Sequence, residues 1–224
     1  MFIQIPELLD KDQVKTVTKA LDKAKYLDGK TTVVGPAAAA KNNLQLDREK
    51  SGDISEIDQI IIGQLGQAPA IRSGCLPKKI LAPSYCKYEK GMSYTPHTDH
   101  PVMGSAPPVR TDIACVIFLS EPDDYEGGEL AVKSEVGDIS FKPEAGHAVV
   151  YPGSALHSIQ EVTKGVRLVA ATWIQSIILE SEKRQLLLEL DMAAGLVSKS
   201  SPDSDEARIL AKTHGNLMRM WSEF

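Results

Sequence analysis

The chain has no C-x-x-C pair, and its three cysteines, Cys75, Cys86 and Cys115, lie far apart. An odd, scattered set excludes a disulfide framework, argues against a cysteine-based zinc site and suits a reducing compartment. Cys86 and Cys115 sit in apolar, strand-like runs and read as core thiols. No apolar run approaches the roughly 18 residues of a membrane span. The start, Met1-Phe2-Ile3-Gln4-Ile5-Pro6, lacks the charged head and apolar stretch of a signal peptide, so the expected location is cytoplasmic. Basic excess is also missing: 25 Lys and Arg face 30 Asp and Glu, and the longest basic clusters are pairs such as Lys78-Lys79. Neither nucleic acid nor a membrane is therefore expected as a partner. There is no internal repeat, and no low-complexity tract beyond the four alanines at 37–40.

What remains is a chain of 224 residues, 42% hydrophobic and 25% charged, enough for one main domain with an appendage. Asp10 followed by Gln13 resembles a capping box, and Val14, Val17, Leu21 and Ala24 recur at helical spacing. A second helix is expected from Asp53 or Ser55, carried by Ile54, Ile57, Ile61 and Leu65 until Gly66 and Pro69. Between them, around Val33 to Ala40, the pattern supports no more than one short strand. From Ile80 to Ser176 the text changes to β-branched and aromatic runs punctuated by Gly and Pro. Strands are expected at 80–89, 111–119, 128–133, 138–141, 147–151, 156–162 and 166–176. Turns are expected at Glu89-Lys90-Gly91, Glu121-Pro122-Asp123-Asp124, Pro143-Glu144-Ala145-Gly146 and Thr163-Lys164-Gly165. That spacing predicts a mainly β protein with a double-sheet jelly-roll core. Helical periodicity returns after Ser176, ending near Gly195, and resumes after Ser201-Pro202, read as N-cap and first helical position. The apolar stripes of these two C-terminal helices must be buried on the β core or on a second copy of the chain, so a homo-oligomer is compatible with them.

The informative stretch is Tyr94-Thr95-Pro96-His97-Thr98-Asp99-His100. In an extended segment His97 and Asp99 point to one face and offer an imidazole nitrogen and a carboxylate to one point. A lone His-x-Asp pair says little. His157, at a strand entry where it could face inward, is the candidate third ligand, the alternative being a strand histidine hydrogen-bonded in a barrel mouth; two nitrogens with one carboxylate suit non-haem Fe(II), leaving positions open for a co-substrate and O2. Arg167 opens the very apolar strand that follows and is either a snorkelling edge residue or a buried cation that requires an anion; its planar fork suits a carboxylate. A 2-oxo diacid can chelate iron at one end and reach Arg167 with the other. His100, out of phase with the pair, is expected to point away, His147 and His214 to lie at the surface, and Trp173 to be core. Gly127-Gly128 reads as a turn of close backbone approach and not a phosphate loop. The loop from His100 to Arg110 lies beside the metal motif, where a substrate lid is expected.

These residues resemble the Fe(II)/2-oxoglutarate dioxygenases, and among them the bacterial PKHD-type hydroxylases related to prolyl 4-hydroxylase. The likeness runs through Tyr88-Glu89-Lys90-Gly91, Tyr94-x-x-His97-x-Asp99, Glu126-Gly127-Gly128-Glu129-Leu130, Gly146-x-Ala148-Val149-Val150-Tyr151-Pro152, His157-Ser158 and Gly165-x-Arg167. It implies a double-stranded β-helix core (about 78–177) with N-terminal helices packed on it in a domain spanning 1–177, and a helical appendage at 178–224. It further implies Fe(II) at His97, Asp99 and His157, and 2-oxoglutarate on Arg167 with Tyr88 bonding one of its carboxylates. O2 and L-ascorbate complete the implied cofactor set, and Tyr94 would line the pocket. The implied activity is hydroxylation of a peptide or protein side chain or a small metabolite, with release of succinate and CO2. Two alternatives stand beside it: a cupin-like metalloenzyme that does not use 2-oxoglutarate, and a non-catalytic jelly-roll binding module.

Overall fold

The computed structural model describes residues 1–33, 36–104, 107–134 and 137–223, with the backbone alone at Pro36 and Ala37. Antiparallel pairing arranges the strands in two large sheets. The first has eight strands, ordered Ile3–Ile5, Ala148–Pro152, Ile113–Phe118, Arg167–Ser176, Ser84–Tyr88, Leu44–Leu46 and Tyr26–Asp28, with Pro77–Ile80 also pairing with Arg167–Ser176. The second has five, ordered Gly137–Phe141, Leu130–Ser134, His157–Ile159, Ser93–His97 and Lys41–Asn42.

Alternation along the central strand Ile113–Phe118 explains the layering. All six of its residues are buried. Ile113, Cys115 and Ile117 face a core shared with Val17, Leu21, Ile57, Ile61 and Leu65 of the helices Lys11–Lys23 and Ser55–Gln67. Ala114, Val116 and Phe118 face the second sheet, meeting Leu130, Val132 and Ile159. A strand buried on both faces reads as one continuous apolar run, because neither face meets water.

The jelly roll is a correction. Hydrogen bonding divides the strands into separate sheets that share no strand and are not closed on one another, and the outer strands of each are open edges among the described residues. Short N-terminal strands (Ile3–Ile5, Tyr26–Asp28, Lys41–Asn42, Leu44–Leu46) add to the sheets and widen them instead of closing a double-stranded β-helix. Helices hold at least as many of the described residues as strands, so the fold is mixed α/β and not mainly β, with helices flanking the sheets at both ends of the sequence.

Smaller differences have local causes. Thr163-Lys164-Gly165 lies within the strand Val162–Gly165, which pairs with Tyr125–Gly127 across a register shift, and only Gly165 keeps a left-handed backbone with φ of 74°. The alanines at 37–40 belong to the helix Pro36–Ala40; Val34 and Gly35 lie outside the described residues. The helix Ser181–Ser200 runs through Gly195, which meets no neighbour and costs the helix only about 1 kcal/mol. Its successor, Asp205–Trp221, is capped by Ser204, whose side chain accepts from the Ala207 N–H, and not by Ser201. The capping box of Asp10 and Gln13 forms as expected, with reciprocal bonds of 2.8 and 3.0 Å.

Candidate metal centre

Strand register brings the site together. His97, the last residue of Ser93–His97, pairs directly with His157, the first of His157–Ile159, so two strand ends present imidazoles side by side. Asp99 follows two residues later. The ligand atoms of His97, Asp99 and His157 all lie within 4.8 Å of one another, and the His157 Nε2 is 3.9 Å from the Asp99 Oδ1. The His97 Nδ1 lies 2.8 Å from the Thr95 carbonyl and the His157 Nδ1 3.0 Å from that of Ala155. A carbonyl only accepts, so Nδ1–H donates in each ring and the Nε2 lone pair is left to a metal, an orientation usual for histidine ligands.

The electrostatics fit a divalent cation. Burial, reinforced by the neighbouring His157, pushes the His97 pKa down to about 4, which keeps the ring neutral and ready to ligate near neutral pH. Burial also pushes the Asp99 carboxyl up, opposed by His157 and by the indole N–H of Trp173, which faces it beyond strict hydrogen-bond range. The Asp99 Oδ2 is buried with no hydrogen-bond partner. Two aimed nitrogens and an orphaned carboxylate oxygen are a donor set that Fe(II) completes.

A second orphan lies in the same cavity, which encloses about 610 Å³. Arg167 is fully buried, and none of its guanidinium nitrogens has a hydrogen-bond partner. It lies over the rings of Tyr88 and Phe118, 5.1 and 5.2 Å from their centroids. Ring faces offset part of the cost of burying a cation, but only an anion satisfies its N–H donors. Tyr88 pairs in register with Arg167 and also lines the cavity.

Gly127 and Gly128, with φ of 74° and 69°, let the chain pass close to the backbone at Glu161 and to this arginine respectively. A Cβ at Gly127 would stand 2.0 Å from the Glu161 carbonyl oxygen; one at Gly128 would press on the Arg167 Cδ at 3.0 Å. Gly127→Ala is expected to lower unfolding stability by at least about 1–2 kcal/mol from the left-handed backbone alone. An unchanged midpoint in a urea melt would refute that.

His100 is exposed and outside the ligand cluster, yet it lines the mouth of the same cavity, so it does not point away as its phase implied. The described part of its loop forms a two-stranded ribbon, Val102–Met103 with Val109–Arg110, and Pro101 and Met103 reach the cavity. Cys75, Cys86 and Cys115 are buried free thiols. Tyr94 stacks on His97 with centroids 3.4 Å apart. Trp173 is a correction: it is only partly buried and lines the cavity beside Asp99. Its indole, one strand position past the buried Thr172, is turned by alternation toward the second sheet. Lys41 was not singled out in the sequence either, because a two-residue strand carries no periodicity.

Comparison with known proteins places this geometry. Residues 83–175 match the 2OG-Fe(II) oxygenase superfamily, and residues 182–223 match the PKHD-type hydroxylase C-terminal domain. A PKHD-type hydroxylase of Saccharophagus degradans is 41% identical over 226 residues, covering 100% of both chains. One of Parvibaculum lavamentivorans is 38% identical over 225 residues, covering 99% of each. A prolyl-4-hydroxylase of Pseudomonas putida is similar in structure, with a TM-score of 0.55 over 78% of this chain and 92% of its own, at 19% identity.

Proposed function

The chain belongs to the PKHD-type hydroxylases of the Fe(II)/2-oxoglutarate dioxygenase superfamily, and from that premise we propose that His97, Asp99 and His157 hold its iron while Arg167 and Tyr88 hold its co-substrate. The observation that carries the reading is the buried, unpaired Arg167 in the cavity of the histidine and aspartate cluster. A metalloenzyme working without 2-oxoglutarate would leave that guanidinium without an anion.

Bound iron and 2-oxoglutarate supply the oxidation: as CO2 leaves, one atom of O2 enters succinate and the other enters a substrate C–H bond as hydroxyl. The chain's residues do the rest. The carbonyls of Thr95 and Ala155 fix both imidazole tautomers. Arg167 pairs with the distal carboxylate of the co-substrate, and the Tyr88 hydroxyl, held protonated by burial, donates to a carboxylate oxygen. Tyr151, whose ring centroid is 5.0 Å from that of His157, and Tyr94 pack the imidazoles from the sides and limit water around them.

The substrate is a peptide or protein side chain or a small metabolite. Residues 1–177 are assigned to the dioxygenase domain and 178–224 to the appendage, a division in line with the two matched segments. The buried thiols support a cytoplasmic location. Exposed Leu186, Met192, Leu196, Ile209 and Met220 support self-association through the C-terminal helices. Among the described residues no helix is long and apolar enough to cross a membrane.

Anaerobic addition of Fe(II) and 2-oxoglutarate to the purified protein tests the assignment. A weak visible metal-to-ligand charge-transfer band is expected. Iron bound without that band would reject the co-substrate, and no bound iron would reject the site.

A further inference from the structure

We propose that Lys41 binds a carboxylate of the primary substrate, which makes the enzyme's substrate an organic acid or an acidic peptide. The proposal rests on the iron and 2-oxoglutarate reading above and names what that reading leaves open.

Lys41 is only 6% exposed. Its ammonium donates to two neutral oxygens, the Thr32 Oγ1 at 2.8 Å and the Gln45 Oε1 at 2.9 Å. Three donors are available on an ammonium, so one remains. Among the described residues no carboxylate lies within ion-pairing distance; Asp99 and Asp28 act on it only through space. A buried, unpaired cation is costly, and burial alone pushes its pKa down.

Its position links it to the chemistry. Lys41 lines the same cavity as the metal cluster but stands on the edge strand of the second sheet, whereas Arg167 belongs to the first. Lys41 pairs in register with Tyr94, and its Nζ lies 5.7 Å from the centre of the ring that stacks on His97. Asp99 is the only acidic side chain lining this cavity among the described residues. A divalent metal, the Asp99 carboxylate, the 2-oxoglutarate dianion and Arg167 balance to zero. Lys41 is then the uncompensated charge in the cavity, on the other sheet from the co-substrate's own cation. A carboxylate on the substrate satisfies the third donor and fixes which end of the molecule enters first.

The competing explanation is a structural clamp, in which Lys41 only ties Thr32 and Gln45 together. The test uses the full chain loaded with Mn(II), a redox-quiet stand-in for Fe(II), and saturated with 2-oxoglutarate so that Arg167 is occupied. N-acetylated amino acids are titrated calorimetrically, each as the free carboxylate and as the carboxamide. Carboxylates are expected to bind at least ~10-fold more tightly than their amides. Lys41→Met should erase that preference and Lys41→Arg should keep part of it. End-blocked peptides bearing Asp or Glu form a second arm: tighter binding there assigns the carboxylate to a peptide side chain, and tighter binding of the free acids to a small metabolite. No preference in the wild type, no binding of either form, or a preference that survives Lys41→Met overturns the proposal. A fall in 2-oxoglutarate affinity in Lys41→Met overturns it, since Lys41 then serves the co-substrate or the shape of its cavity. Failure of the metal-loaded wild type to bind 2-oxoglutarate is a different result, which removes the underlying reading and this one with it.

Discussion

Asp99→Asn is expected to yield a protein that is more stable than the wild type without metal and inert with it. The Asp99 side chain is 8% exposed, one of its oxygens has no partner, and burial raises its pKa. A carboxyl whose folded pKa lies above its unfolded value stabilises the fold fully below the unfolded pKa. That contribution is lost as pH rises through the folded pKa. Near neutral pH the empty site therefore bears the cost of an ionised carboxylate, and the isosteric amide relieves it. The same substitution removes an anionic ligand. Altering a residue that merely orients a ligand costs roughly 10–100-fold in metal affinity or activity, so losing the ligand itself should cost more than ~100-fold. Thermal melts of the metal-free proteins and 2-oxoglutarate-dependent succinate formation measure the two halves. A lower melting temperature in the variant would show that Asp99 supports the empty fold, and retained succinate formation would remove it from the metal site.

How much of this was legible depended on sequence separation and on side-chain period. The His97 and Asp99 pair could be read locally because two residues of extended chain return to one face. The spatial neighbour of His97, His157, could not be placed that way; its strand-entry position made it a candidate, the resemblance implied the same role, and the register brings the two imidazoles together. The helix Lys11–Lys23 was readable from its capping box and apolar stripe. Tyr26–Asp28, Lys41–Asn42 and Leu44–Leu46 were not, since strands of two or three residues are too short for alternation to appear. Those same strands widen the sheets, so overlooking them led to a closed jelly roll. Lys41 was missed with them. Trp173 was misread because an apolar run such as Leu168 to Ile174 does not say which of its two faces borders a cavity.

Arg167→Met separates what the co-substrate gains from what the empty protein bears. In the wild type the guanidinium has no anion, and its neighbours are the Tyr88 and Phe118 rings, Gly128 and the Tyr125 hydroxyl, which faces it beyond strict hydrogen-bond range. Methionine has a comparable length and no charge to solvate. Replacing buried charge by a well-packed apolar side chain is often neutral or stabilising by about 1–4 kcal/mol, so the metal-free variant should melt at or above the wild-type temperature. With 2-oxoglutarate the sign reverses, because its distal carboxylate is buried against no cation. Removing one partner of a buried pair costs about 3–5 kcal/mol, or roughly two to four orders of magnitude in Kd. Calorimetric titration of 2-oxoglutarate into the Mn(II)-loaded protein reads that loss directly, while Mn(II) affinity without co-substrate should stay near wild type, since Arg167 is no ligand. A variant that binds 2-oxoglutarate normally would place the distal carboxylate elsewhere. One that melts lower would mean that this guanidinium is satisfied within the fold after all.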